Sequence, residues 1–166
     1  MHVLDTPRLA LRELVPGDLN FLAAMLADPE VSFYYERVFT RYDAAVWLDR
    51  QLARYARDGH GLWLVEERGT GAPVGNIGLA IQQVEGTEQP ELGWLLSREH
   101  WGKGYATEAG RAVRSLAHER LGYPRVISLI RPENARSRRV AERVGLAAGG
   151  EVDFHEFRHI VYEGTA

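Results

Sequence analysis

The chain has no cysteine among its 166 residues. That excludes a disulfide framework, a thiolate zinc site and a cysteine nucleophile, and it fits a reducing compartment. No apolar run approaches the roughly 20 residues that a membrane-spanning helix requires, and no basic N-terminal stretch leads into an apolar segment. The expectation is a soluble, unprocessed cytoplasmic protein without a membrane partner. The chain also lacks the overall basic charge of a nucleic-acid binder, its formal net charge being −3. What remains, 45% hydrophobic and 26% charged residues, suits one domain spanning residues 1–166 around one core.

The small net charge conceals an uneven distribution. Between Arg98 and Arg143 there are 11 Lys/Arg and 5 Asp/Glu, a balance of +6 that leaves −9 for the rest of the chain. An anionic ligand is therefore expected against this stretch, and the acidic remainder favours a basic second ligand.

Thr6 to Leu14 alternates, with Leu9 and Leu11 opposite Arg8 and Arg12, as a half-buried first strand does. Leu19 to Ala27 has helical spacing and stops at Asp28-Pro29. A second helix begins at Asp43, with Ala44, Trp47, Leu48, Leu52 and Tyr55 as its stripe, and ends at Asp58-Gly59. Leu62 to Glu66, Pro73 to Ile81 and Glu91 to Leu96 read as an antiparallel meander, with turns over Arg68 to Ala72 and Glu85 to Pro90. A helix carrying Tyr105, Ala109, Ala112, Val113 and Leu116 then leads to the strand Arg125 to Ile130, which makes a βαβ crossover. A helix from about Asn134 to Val144 ends at Gly145, and Phe154 to Tyr162 offers a last strand. This order predicts an α/β fold: a mixed sheet of six to seven strands with about four helices on its faces. A homodimer through an edge strand is compatible with the pattern, and no residue selects it.

The most informative string runs Glu91-Leu-Gly-Trp-Leu-Leu-Ser-Arg-Glu-His-Trp101-Gly-Lys-Gly-Tyr-Ala-Thr-Glu-Ala109. An apolar strand enters a glycine-rich turn that opens an amphipathic helix, which presents free backbone N–H groups and a positive dipole end to a phosphate. It is not a P-loop, because Ser97 and Gly104 stand where that motif needs Gly and Ser/Thr, nor a dinucleotide fingerprint, because Thr107 replaces the third glycine. Downstream, Asn134, Ser137 and Ala141 share one helical face, while Val140 and Val144 share the buried one. By itself Asn134 reads as an N-cap.

The first string resembles the acyl-coenzyme A loop of GNAT acetyltransferases, Arg/Gln-x-x-Gly-x-Gly/Ala, and most closely its RimJ/RimL-type branch; the pattern falls on Trp101, Gly104 and Ala106, with Trp101 departing from Arg/Gln. The run Asn134-x-x-Ser137-x-x-x-x-Glu142-x-x-Gly145-Leu146 resembles the second signature of that family, and Thr6-Pro-Arg-Leu-x-Leu-Arg is similar to a common opening of the branch. The resemblance covers nearly the whole chain. It implies the GNAT acyl-CoA N-acyltransferase fold and transfer of an acetyl group from acetyl-CoA, with no metal, to a primary amine: a small molecule or a protein N-terminus.

By the same resemblance, acyl-CoA lies against Leu95, Leu96, Ser97, Trp101, Gly102, Lys103, Gly104, Tyr105, Ala106 and Thr107, with Asn134 and Ser137 near the pantetheine and sulfur. The backbone N–H of Leu96 would polarise the thioester carbonyl. An α-amino group, with pKa roughly 8, loses its proton far more easily than a lysine at about 10.4. A weak base therefore suffices, and Glu91, on the strand face of Gly93 and Leu95, is the candidate. Many relatives carry a tyrosine acid where this chain has Ala141, so the general acid is unassigned. Phe33, Tyr34, Tyr35 and Glu36 are the expected acceptor wall. An acyl-CoA-binding module without turnover is the competing reading. A zinc metallopeptidase through His155, Glu156 and His159 is a remoter one, because His-Glu-x-x-His works on a helix and this segment is rich in strand formers.

Overall fold

Strands in this chain are recognisable wherever one face meets both sheet neighbours and a helix, and they are missed at the solvent edges. A computed structural model describes residues 1–35 and 37–165. The elements are β1 (His2–Asp5), β2 (Leu9–Arg12), α1 (Leu19–Ala27), α2 (Arg41–Asp58), β3 (Leu62–Glu67), β4 (Pro73–Val84), β5 (Thr87–Leu96), α3 (Tyr105–Glu119), β6 (Arg125–Ile130), α4 (Ala135–Val144), β7 (Ala147–Phe154) and β8 (Phe157–Thr165). One eight-stranded sheet in the order β1-β2-β3-β4-β5-β6-β8-β7 runs through the molecule. Every pairing is antiparallel except β5 with β6.

The helices divide between the faces because the strands alternate. Trp63, Val65, Ile77 and Leu92 point to one side and bury Ala109, Val113 and Ala117 of α3 with Ala141 and Val144 of α4. Leu64 points to the other and, with Leu14, meets Leu22, Met25 and Leu26 of α1 and Ala44 and Leu48 of α2. Each fully buried Leu or Val contributes roughly 1.5–3 kcal/mol by leaving water. Local signals end the helices where the packing requires. Thr40 and Asp43 form a reciprocal capping box at the start of α2, whose hydrogen bonds from Thr40 hold the Asp43 carboxyl at about 2. Gly59 and Gly145 stop α2 and α4 at φ +74° and +92°.

The sheet has more strands than the six to seven expected. The first strand is a hairpin, β1 with β2, rather than one run from Thr6. The turn expected over Glu85 to Pro90 shrinks to Glu85-Gly86, both at positive φ, so β5 begins at Thr87. Its polar residues Thr87, Glu88 and Gln89 lie beyond the helix-covered core and carry no apolar alternation. The expected last strand is two, β7 and β8, around a turn at His155 and Glu156 with φ of +48° and +68°. β7 is an exposed edge through Gly149-Gly150, where periodicity has nothing to report.

Gly78 marks the tightest approach in the sheet: a Cβ there would lie 2.0 Å from the Gly61 carbonyl oxygen and 2.8 Å from the Leu62 Cα. Because both obstacles are backbone, Gly78→Ala is expected to destabilise the fold by about 1–3 kcal/mol through forced strand displacement. A lower urea midpoint with an unchanged slope checks this, and a midpoint equal to the wild type's would contradict it.

Candidate active site

Among the described residues the sheet has one parallel pairing, β5 with β6, and it stops after one register pair, Glu91 with Ile127. The groups that would have continued it are taken up locally. The buried Ser128 hydroxyl donates to the Leu92 carbonyl at 2.5 Å, and the Leu129 N–H donates to Glu91 Oε1 at 3.3 Å. β5 and β6 therefore separate into a fork toward their C-terminal ends. On its other edge, β5 stays bonded to β4: Ser97 N–H donates to the Val74 carbonyl at 3.0 Å, which makes the Gly75–Leu96 pair a non-hydrogen-bonded one. Alternation then turns the backbone groups of Leu92, Trp94 and Leu96 toward the fork and those of Leu95 toward β4. The Leu96 N–H, named from the sequence, faces the opening. Leu95 reaches it only through its side chain, and Ser97 is occupied with Val74 and His100.

At the mouth of the fork lies the glycine loop. Gly102 and Gly104 take φ of +77° and +81°, and Gly104 caps α3 without a side-chain bond. Among the described residues, the N–H groups of Gly102, Lys103, Gly104, Tyr105, Ala106 and Thr107 meet no protein acceptor. Nothing lies within 4 Å of a Cβ built on Gly102, and only Arg8 Nη2, at 3.5 Å, near one on Gly104. Six free amides, a helix dipole and Lys103 fit a pyrophosphate.

The loop is braced from the far edge of the sheet. Glu108 accepts from the Thr6 hydroxyl at 2.6 Å, from Arg8 N–H at 2.9 Å and from Arg8 Nε at 2.6 Å, while Arg8 Nη1 donates to the Lys103 carbonyl at 3.0 Å. Burial pushes the Glu108 carboxyl up, and these donors together carry it below its ordinary range. The Thr6-Pro-Arg opening and Glu108 were visible as motif letters, but nothing in the sequence joined them. Trp101, the departure from Arg/Gln, donates its Nε1–H to the Leu96 carbonyl at 2.9 Å and lies under the Arg136 guanidinium at 4.3 Å.

On the α4 side, Asn134 caps the helix by accepting from Ser137 N–H at 3.1 Å, and the Ser137 hydroxyl accepts from Trp94 Nε1 at 3.3 Å. Both line the cleft that the fork opens, about 600 Å³ in volume. Ala141 is fully buried. Glu91 stands at the floor with Gly93 and Leu95, as alternation predicted, and Gln82 Nε2 donates to its Oε2 at 2.7 Å. Desolvation raises the Glu91 carboxyl above its ordinary value despite these donors. Tyr35, although 41% exposed, lines the same cleft.

The acceptor wall differs from expectation in two respects. Tyr34 and Tyr35 line the cleft with Phe39 and Trp47, but Phe33 is 64% exposed and lines a neighbouring cavity with Val38 and Glu133. Three adjacent residues in a 3-10 turn cannot all face one side. Glu36 lies outside the described residues. The basic acceptor expected from the acidic remainder is not favoured by the lining, where Arg37, Arg50, Arg54 and Arg131 outnumber Asp43 and Glu91. His155 and Glu156 form a hairpin turn, so the two histidines do not share a helical face. Among the described residues no three His, Cys, Asp or Glu gather as a metal site. His159 instead donates Nδ1–H to the Phe157 carbonyl at 2.9 Å.

Fork, free amides and buried carboxylate together define an acyl-coenzyme A-dependent transferase. Residues 8–147 match the model of the acetyltransferase (GNAT) domain. The chain belongs to the GNAT acetyltransferase family and is an acetyl-CoA-dependent N-acetyltransferase. It is 33% identical over 144 residues, 86% of this chain and 84% of the other, to the uncharacterized protein YkkB of Bacillus subtilis. The crystal structure of the acetyltransferase from Agrobacterium tumefaciens superimposes with a TM-score of 0.86 at 31% identity, over 98% of this chain and 94% of that one. RimL, the ribosomal L7/L12 alpha-N-protein acetyltransferase, in complex with coenzyme A, shares the fold at a TM-score of 0.81 and 15% identity, over 99% and 98%.

Two variants probe the coenzyme half. Gly104→Glu puts an anionic side chain on a positive-φ position among the free amides and should abolish acetyl-CoA binding by isothermal titration while the protein stays folded; retained wild-type affinity would remove the loop from the site. Ser128→Ala strands the Leu92 carbonyl and should cost about 1–3 kcal/mol in urea unfolding. An unchanged midpoint would mean that the hydroxyl does not hold the fork.

Proposed function

We propose that the protein acetylates a primary amine bound on the α2 side of the fork, with Glu91 as the proton acceptor. The observation that carries this reading is the Glu91 carboxylate itself: it sits where the strands part, keeps two protein donors, and has its basicity raised by burial. Bound acetyl-CoA supplies an activated acetyl thioester. The Leu96 N–H would hydrogen-bond the acyl oxygen, the free amides of residues 102–107 would hold the pyrophosphate, and Asn134 and Ser137 would border the pantetheine. Tyr34, Tyr35, Phe39 and Trp47 would cover the acceptor and keep water from it.

An amine enters protonated and must shed one proton before nitrogen can attack. Glu91 takes it, directly or through one water, and the adjoining Gln82 and Leu129 donors hold the carboxylate in place. With no tyrosine at Ala141, proton return to the thiolate falls to solvent or to the protonated Glu91; a thiol of pKa about 8.5 leaves tolerably without a dedicated acid. The RimJ/RimL-like motifs favour an α-amine, whether on a small molecule or at a protein N-terminus, over the more basic lysine side chain. An exposed edge strand, β7, is available for pairing two copies.

Because Glu91 must be ionised to act, kcat/KM should rise with pH through a limb lying above the ordinary carboxylate range. Glu91→Gln should lower kcat about 10²-fold or more and erase that limb, with acetyl-CoA affinity unchanged. A variant that keeps wild-type turnover and profile would remove Glu91 from the chemistry.

A further inference from the structure

The cleft holds two arginines that form no ion pair among the described residues. Of its charged lining residues, Arg37 pairs with Asp43, Arg131 lies 3.5 Å from Glu133 and 4.2 Å over the Phe157 ring, and Glu91 is held by Gln82 and Leu129. Arg50 and Arg54 remain. They stand four residues apart on α2, a like-charge spacing that weakens a helix. Neither forms an ion pair among the described residues, and the only hydrogen bond of Arg54 is a long one, 3.4 Å, to Gln51 Oε1. That acceptor is already engaged by the Leu62 N–H at 2.9 Å. Arg54 is partly buried, and desolvation, with the Arg50 charge next, makes its guanidinium harder to keep protonated. A part-buried guanidinium repelled by its neighbour and short of acceptors, as Arg54 is, is relieved by an oxyanion.

We propose that Arg54, assisted by Arg50, binds a carboxylate or phosphate carried by the acceptor, so that the substrates are amines bearing an oxyanion on the same molecule. The inference rests on the reading of Glu91 as the acceptor's proton site. Glu91 is near enough for its charge to act on Arg54, so one compact molecule would set its ammonium on the carboxylate and its anion on the guanidinium fork. Bidentate contact would fix the molecule's orientation as well as its charge.

The test compares pairs of α-amines that differ chiefly in the anion: aspartic acid α-amide with asparaginamide, and O-phosphoserinamide with serinamide. The wild type should favour the anionic member by at least tenfold in kcat/KM, and the pair with the larger ratio identifies carboxylate or phosphate as the partner. Arg54→Gln should shrink that ratio below twofold, mainly through KM, and Arg54→Lys should keep part of it, since it preserves the charge without the fork. An independent readout is modification of Arg54 by phenylglyoxal, mapped by mass spectrometry with coenzyme A present: the anionic probes should protect it and the neutral ones should not. Equal use of both members with no protection would overturn the anion site while leaving the acetyltransferase reading intact. Protection without turnover of any amine would keep the site and refute the amine reading. Preference for a diamine such as 1,3-diaminopropane would overturn the proposal outright.

Discussion

The separation of β5 from β6 is the constraint on which the rest of the molecule depends. A parallel ladder that simply ended would leave unpaired amides and carbonyls in the middle of a sheet, at a cost of about 1–3 kcal/mol for each group stranded from water. Here the break is closed chemically by Ser128 on the Leu92 carbonyl and Glu91 on the Leu129 amide. Further along β5 the Leu96 carbonyl accepts from Trp101 Nε1–H, and the Leu96 N–H is left facing the cleft. The opposite edge explains the aim of the Leu96 N–H. Peptide planarity sets it opposite the Leu95 carbonyl, which the register turns onto Asn76, so it must face the opening.

Distance in sequence is what the loop needs most. Its two left-handed glycines and open amides have no internal reason to hold one shape, and the atoms that fix it come from residues 6–8, about a hundred positions earlier. Glu108 does this from the first turn of α3, where a carboxylate also suits the helix dipole. The brace leaves Arg8 stacked 4.7 Å over Tyr105 with one guanidinium nitrogen beside Gly104. A guanidinium beside the glycine loop therefore comes from the opposite end of the sheet order, outside the basic stretch counted along the chain.

Much of this was legible beforehand, and the pattern of what was not is physical. Helices with an apolar stripe and a glycine or proline stop were read within a few residues, as was β6, which is buried among helices and strands. The glycine loop was legible because its chemistry needs consecutive residues. Glu91 was legible through strand alternation, which put it on the face of Gly93 and Leu95. Ser128 was invisible: a serine in a hydrophobic strand shows its purpose only when the neighbouring ladder is seen to stop. The hairpins β1–β2 and β7–β8 were misread because edge strands need no alternation. Phe33 parts from Tyr34 and Tyr35 because adjacent residues on a 3-10 turn point in different directions, which composition does not report. Whole-chain charge says little about the cleft, whose own lining carries Arg37, Arg50, Arg54 and Arg131 against Asp43 and Glu91.

In the proposed mechanism Glu91 would carry two duties whose demands conflict, and its surroundings would reconcile them. As the partner of Leu129 it is useful when ionised, because a carboxylate accepts more strongly than a carboxylic acid; as a base it must hold a proton readily. Desolvation raises its proton affinity, while Gln82, the Leu129 amide and the Arg54 charge restrain the rise. An oxyanion on Arg54 would cancel part of that last restraint at the moment the substrate's ammonium arrives. Compared with an acceptor lacking the anion, Glu91 would then hold the transferred proton more readily. The same contact that selects the acceptor would thereby tune the base that activates it.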